Sequence, residues 1–244
     1  MTRLHATVRL SLLFVVAMGS AACVGAQAPS GADGASMNTL TAAERAAGWQ
    51  LLFDGTSLTG WQAYDDAGPP EGWAAVDGTL SRVGRGGDII TDREFANFEL
   101  SVEWRVEAAG NSGVFYRAAT GEEWVYHSAP EMQVLDDAGH RDGQNPLTSA
   151  GANYGLHAAP RGVVRAAGEW NQARIVVEGD RVEHWLNGTR VVAYVLGSAE
   201  WEALVAGSKF VEWPAYGRAE RGHIGLQDHG DPVWFRNFKL REIR

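Results

Sequence analysis

The segment APEMQVLDDAGH, residues 129–140, sets an acid and an amide two residues apart. Side chains alternate along a strand, so Glu131 and Gln133 would share one face while Met132 and Val134 point the other way, into a core. A carboxylate can take or give a proton, and an amide beside it can orient a bound molecule. A strand face that is merely wet would more often carry Lys, Thr or Ser, so this face is expected to be the floor of a site. Gln227 and His229 alternate in LQDHG, and the glycine-flanked DHGD suits a loop at a groove rim. Glu131 and His229 are the candidate bases, with Gln133 beside them.

Other polar residues could converge on the same groove. Glu103 and Arg105 share a face of LSVEWRV opposite Val102, Trp104 and Val106; Arg117 ends SGVFYR; His184 lies in VEHWLNG. With Gln227, these are the candidate substrate-binding residues. For Glu103 and Arg105 the competing reading is a solvated face, which antiparallel sheets commonly have. For His184 it is a contact across the hairpin. Arg236 reads as a structural clamp on a carboxylate or carbonyl. Asp136, Asp137, His140 and Asp142 crowd into DDAGHRD. Oxygen and imidazole groups can hold a divalent ion, but this spacing matches no defined metal loop, and a solvated turn is expected. Trp73, Trp124 and Trp213 lie near Gly, Pro or polar residues, where an indole could stack on a sugar. The chain lacks Gly-x-Ser-x-Gly, His-Glu-x-x-His and a cysteine nucleophile, which leaves serine, zinc-protease and thiol chemistry unsupported.

The elements that must position these residues are strands. WQLLF meets Asp54-Gly55, and GWAAV and TLSRV flank Asp77-Gly78. RVEHWL and TRVVAYV flank Asn187-Gly188, a strong signal for a two-residue hairpin turn. FELSVEWRVE, SGVFYRA, PEMQVLD, HIGLQDHG and VWFRNFKLREI add alternating strands. Helix is expected only at Thr41–Gly48, where Thr41 and Glu44 have capping-box spacing, and at residues 199–208. No βαβ alternation or internal repeat is present. The expected fold is all-β, two antiparallel sheets packed face to face.

The chain has 244 residues, 45% of them apolar, and ten tryptophans, enough for one large β domain. The net charge of −9 argues against nucleic acid or an anionic membrane surface as partner. Arg3 and Arg9 precede the short apolar run Leu10–Met18 and then Ser20-Ala21-Ala22-Cys23. This reads as a signal peptide over 1–22, too short for a transmembrane span. Cys23 resembles the lipidated residue of a bacterial lipoprotein, although Ser20 stands where Leu is usual. Cleavage after Ala26 or Ala28 is the alternative. Either route takes the protein out of the cytoplasm, to the periplasm or cell envelope, lipid-anchored through Cys23 or otherwise secreted. A flexible tether with a short helix is expected over 23–46, and the folded domain over 47–244, with strands from Trp49.

Six blocks in order carry a resemblance: GWQLLFDGTSLTGW, FELSVEWR, GNSGVFYR, EMQVLDD, WNQARIVVEGDRVEHWLNG and GHIGLQDHGDPVWFRNFKLREI. Over residues 47–243 they resemble the 3-keto-disaccharide hydrolase domain family. The resemblance implies a concanavalin A-like jelly-roll sandwich that cleaves glycosides already oxidised to a ketone at C3, outside the cytoplasm. It carries over to Glu103, Arg105, Arg117, Glu131, Gln133, His184, Gln227 and His229. GANYGLHA departs from the family's Gly-Ala-aliphatic-Tyr-aliphatic-Tyr pattern at Asn153 and His157. A C3 ketone acidifies the C2–H, so such a site needs a base at C2 and an arginine or a divalent cation at the C3 oxygen. Two other functions share the fold. Glu131 with Asp136 could act as the acid pair of a retaining glucanase, although Gln133 replaces the middle acid. A non-catalytic carbohydrate-binding module would need only aromatic platforms.

Overall fold

The computed structural model describes residues 1–2, 37–64 and 68–244. The apolar leader, Cys23 and most of the tether lie outside the described residues. In chain order the elements are α1 (Ala42–Ala46), β1 (Gln50–Leu51), β2 (Trp61–Ala63), β3 (Trp73–Val76), β4 (Thr79–Arg82), β5 (Ile89–Phe95), β6 (Phe98–Val106), β7 (Asn111–Ala118), β8 (Glu131–Leu135), β9 (Asn171–Glu178), β10 (Arg181–Leu186), β11 (Thr189–Val195), α2 (Ala199–Ala206), β12 (Gly222–Leu226) and β13 (Val233–Glu242). Single 3-10 turns occur at Val125–His127, Arg141–Gln144 and Lys209–Glu212.

The strands make two antiparallel sheets. The larger runs β11-β10-β9-β6-β13-β4-β3, with β1 also paired to β13; the smaller runs β2-β5-β12-β7-β8. Alternation explains the sandwich. In β6, Phe98, Leu100, Val102, Trp104 and Val106 are buried, while Glu99, Glu103 and Arg105 stay partly exposed. Val114 and Tyr116 of β7, Met132 and Val134 of β8, and Ile224 and Leu226 of β12 face them across the core. Fully buried aromatics such as Trp104 contribute the largest burial areas.

The turns follow the sequence signals. Asn187-Gly188 and Asp77-Gly78 take positive φ at both positions (49° and 81°, 49° and 75°), as two-residue hairpin turns matched to strand twist require. Thr41 and Glu44 form the capping box of α1. That helix does not hang in a tether. Glu44 pairs with Lys239 of β13. Asn38 and Asn237 exchange two hydrogen bonds of 2.8 Å, and the Asn38 amide donates to Gly78 O. The folded unit accordingly includes Asn38 and α1, ahead of the first strand.

The face of the smaller sheet turned away from the core is built in cross-strand rows. Gln133 lies beside Gly113, and Glu131 beside Phe115. Phe115 lies beside Gly225, and Gly225 beside Ile90. Phe115 and Ile90 join Tyr64, Ala118, Val125 and Ala129 in a small second apolar cluster. The outer edge of β8 is covered: Gly151 N–H donates to Gln133 O (2.8 Å), Tyr154 N–H to Glu131 O (3.1 Å), and Gln133 N–H to Ala152 O (3.1 Å). This pins the segment carrying Tyr154 beside the acid.

Candidate active site

A cavity of about 230 Å³ opens on this outer face, lined by Asn111, Tyr126, Glu131, Gln133, Tyr154, Lys209, Gln227 and His229. β7 supplies Asn111 and β8 supplies Glu131 and Gln133. Gln227 and His229 follow β12. Tyr126 comes from the 3-10 turn Val125–His127, Tyr154 from the segment along β8, and Lys209 from the 3-10 turn Lys209–Glu212.

Glu131 is almost fully buried (5% exposed). Loss of water pushes its carboxyl up to about 8; the Lys209 ammonium pulls it down and the Asp88 carboxylate pushes it further up. Gln133, with its amide nitrogen toward the acid, donates to Glu131 Oε1 and to Ser112 O, both at 3.1 Å. Lys209 is the cation of the cavity. Its ammonium lies 4.8 Å from the Tyr154 ring centre, 5.1 Å from that of Tyr126 and 5.2 Å from that of Phe210. Burial lowers its pKa, while Glu131 and Asp142 pull it back up. Tyr154, pushed up to about 12 by burial with help from Asp142 and Glu131, keeps its proton at neutral pH.

At the rim, His229 Nδ1 lies 3.3 Å from Asp231 Oδ2, and its ring sits edge-on to His140 with centres 5.9 Å apart. With Nδ1–H on the carboxylate, Nε2 is left for another partner. Gln227 Oε1 is buried and accepts no hydrogen bond from the described residues, so a donor on a bound molecule could satisfy it. Asp88 immediately precedes β5. Burial pushes it up to about 7; the Asp228 N–H pulls it down and the Asp228 charge pushes it up.

Residues 48–241 match the 3-keto-alpha-glucoside-1,2-lyase-like domain. The chain belongs to this family. The family match spans the sandwich and every residue of the cavity. A 3-keto-disaccharide hydrolase of Bacteroides thetaiotaomicron is 35% identical, covering 86% of this chain and 83% of its own. A candidate glycosyl hydrolase from Parabacteroides distasonis superposes with a TM-score of 0.79 at 32% identity, covering 86% of this chain and all of that one. A second such protein from that organism gives 0.62 at 32% identity, over 80% and 99% of the two chains. The lyase-like chain is thus an enzyme of the glycoside hydrolase and lyase class, acting on carbohydrate.

In this lyase-like enzyme Glu131, Gln133, Gln227 and His229 meet in one cavity, as their sequence positions led one to expect. Four other candidates are not brought to it. Glu103 and Arg105 lie on the outside of the opposite sheet. Glu103 binds Arg236 (2.7 Å) and Asn237 (3.0 Å), which makes Arg236 the expected clamp. Arg105 lies 4.6 Å from the Trp234 ring centre and 5.0 Å from that of Trp170. Arg117 has a positive φ of 51°, and its guanidinium donates to Ala96 O and Gly179 O, in the turns after β5 and β9. His184 sits in the core, accepting from Tyr116 at Nε2 (2.8 Å) and donating from Nδ1 to Gly151 O (3.1 Å). Burial pushes it down to about 4, so it is neutral and structural.

Asp136 does not line the cavity, and both of its oxygens accept backbone N–H groups, from Ala109 (2.8 Å) and Ala138 (3.1 Å). The acid pair of a retaining glucanase is not assembled. Among the described residues no three His, Cys, Asp or Glu side chains converge as cation ligands. Asp137 and His140 accept the Ala150 and Asp142 N–H groups. Trp73 is buried in the core, whereas Trp124 is 49% exposed and Trp213 stacks on His127 at 4.3 Å. Asn111, Tyr126, Tyr154 and Lys209 are the site residues that sequence patterning did not single out.

Proposed function

We propose that this enzyme cleaves 3-keto-glycosides by taking the C2 proton, expelling the C1 substituent and then adding water. The reading rests chiefly on a buried carboxylic acid and a lysine facing one small polar cavity. Glu131, in its ionised form, takes the C2 proton. The C–H electrons pass toward C3 and leave an enolate on the ketone oxygen. Lys209 supplies positive charge at that oxygen, the part the sequence assigned to an arginine or a divalent ion. As the C1–O bond breaks, the leaving oxygen takes a proton from His229. With the leaving group gone, Glu131 exchanges its proton with solvent; water then adds at C1 and gives a proton to His229, Glu131 protonates C2, and a free 3-keto sugar is released with both side chains back in their starting states. Gln133 holds Glu131 in place, and Gln227 and Asn111 hydrogen-bond sugar hydroxyls.

The names of the relatives agree with this route. On this route a lyase would stop after elimination and a hydrolase would continue to hydration. An unoxidised glucoside lacks the carbonyl that makes the C2–H acidic, so it should not turn over. A glucoside and its 3-keto derivative, assayed side by side, test this: equal rates would refute it.

We also propose that the protein is exported, from the leader ahead of residue 23, with Cys23 as the candidate lipid anchor. Labelled fatty acid should enter the wild type and be lost in Cys23→Ser. A trimmed but unlabelled wild type would mean release without an anchor.

A further inference from the structure

We propose that Gly113 is a positioning residue for the base: its bare Cα is the seat on which the Glu131 carboxyl lies. The inference deepens the function proposed above and rests on Glu131 as the base. Register places Phe115, not Gly113, directly beside Glu131. The Glu131 side chain therefore leans along the sheet, away from the Phe115 ring and over the glycine. A Cβ on residue 113 would come within 2.6 Å of Glu131 Cδ and 2.8 Å of its Cγ, closer than real side chains approach. Backbone conformation does not explain the glycine. Gly113 lies inside β7 and has no positive φ, so any residue could adopt its dihedrals. Glycine in a strand interior weakens the strand, and it commonly marks a close approach by another group. Here that group is the carboxyl.

The atoms that would clash belong to a movable side chain, so the acid would give way rather than the strand. Its displacement would break the 3.1 Å bond from Gln133 and push the carboxyl toward the open side of the cavity. The titratable groups whose charge bears on Glu131 are Lys209, Asp88, Tyr154 and Tyr216. None needs to move for the carboxyl to regain water, and a rehydrated carboxyl titrates lower.

The test compares wild type, Gly113→Ala, Glu131→Asp, the double variant and Glu131→Gln on a 3-keto-glucoside across pH. Gly113→Ala should lose about 10²-fold in kcat, as expected for a catalytic group misplaced by about an ångström. KM should change little, and the midpoint of the rise in kcat/KM with pH should fall below that of the wild type. Glu131→Asp ends one methylene short of the new methyl group, so the double variant should turn over faster than Gly113→Ala alone. If Gly113→Ala fails to fold, the double variant should fold. The inference is overturned if Gly113→Ala keeps wild-type rate and midpoint. It is also overturned if Gly113→Ala is slow with an unmoved midpoint and gains nothing from Glu131→Asp, which is an ordinary packing defect. Full turnover by Glu131→Gln removes the base itself, and this inference with it. An inactive Glu131→Gln beside a normal Gly113→Ala rejects only the role of the glycine.

Discussion

Glu131 carries a cost that its chemistry requires. A carboxyl held at about 8 is mostly protonated at neutral pH, yet a base must be ionised. On the enzyme with no substrate bound, kcat/KM should therefore rise with pH through a midpoint near 8. Glu131→Gln keeps size and hydrogen bonding but removes basicity, and should lower the rate on the order of 10²–10⁴-fold. Its stability should change in the opposite sense. The folded acid keeps its proton up to about 8, whereas in the unfolded chain it ionises near 4.5. The contribution of Glu131 is full below the unfolded value and is lost as pH rises through the folded one. Glu131→Gln should gain melting temperature relative to wild type between pH 5 and pH 9, which thermal melts at the two pH values would check. Lys209→Met removes the cation and little volume. It should cost about 10²–10³-fold in kcat, the scale of losing one oxyanion donor. It should also move the pH midpoint upward, because Lys209 holds the Glu131 value down. A midpoint that stays put would separate Lys209 from the acid.

At the scale of elements, strands and hairpins were legible because period-2 burial and Asn-Gly or Asp-Gly turns are written in neighbouring residues. The alternation in EMQVL gave the polar face of β8 directly, and DHGD gave the rim histidine. The same alternation misled at Glu103 and Arg105: it shows that a side chain points outward but not from which sheet. Arg117 and His184 failed for different reasons, a positive φ and burial between sheets, neither of which a strand pattern reveals. Tyr126 and Lys209 ride on single 3-10 turns, too short to impose any period on the sequence. Lys209 is set by its cap, where Ser208 Oγ accepts the Phe210 N–H at 3.2 Å. Ser208→Ala should cost about 1 kcal/mol of stability. It should also lower kcat, since the turn that aims the ammonium loses its anchor. Calorimetry with steady-state kinetics would show whether the two effects travel together.

For the whole molecule, the sandwich makes a rigid wall behind the cavity. Met132 and Val134 fix β8 to the core from one side while the segment around Tyr154 closes its edge from the other. Stability and chemistry are thereby assigned to opposite faces of one strand. Trp104→Ala, in the centre of the core, should destabilise by about 3–5 kcal/mol while leaving KM of the surviving folded enzyme nearly unchanged. Urea unfolding and kinetics on the folded fraction would test that separation. The central claim is that Glu131 takes a proton from C2 of a 3-keto sugar, and isotope at that carbon tests it most directly. With 3-keto-glucoside deuterated at C2 and the reaction run in ordinary water, the account predicts that deuterium is lost from C2 in the product, and that Glu131→Gln nearly abolishes the loss. Cleavage that keeps the deuterium at C2 would contradict the account, because a deuteron held by Glu131 exchanges with solvent before C2 is reprotonated.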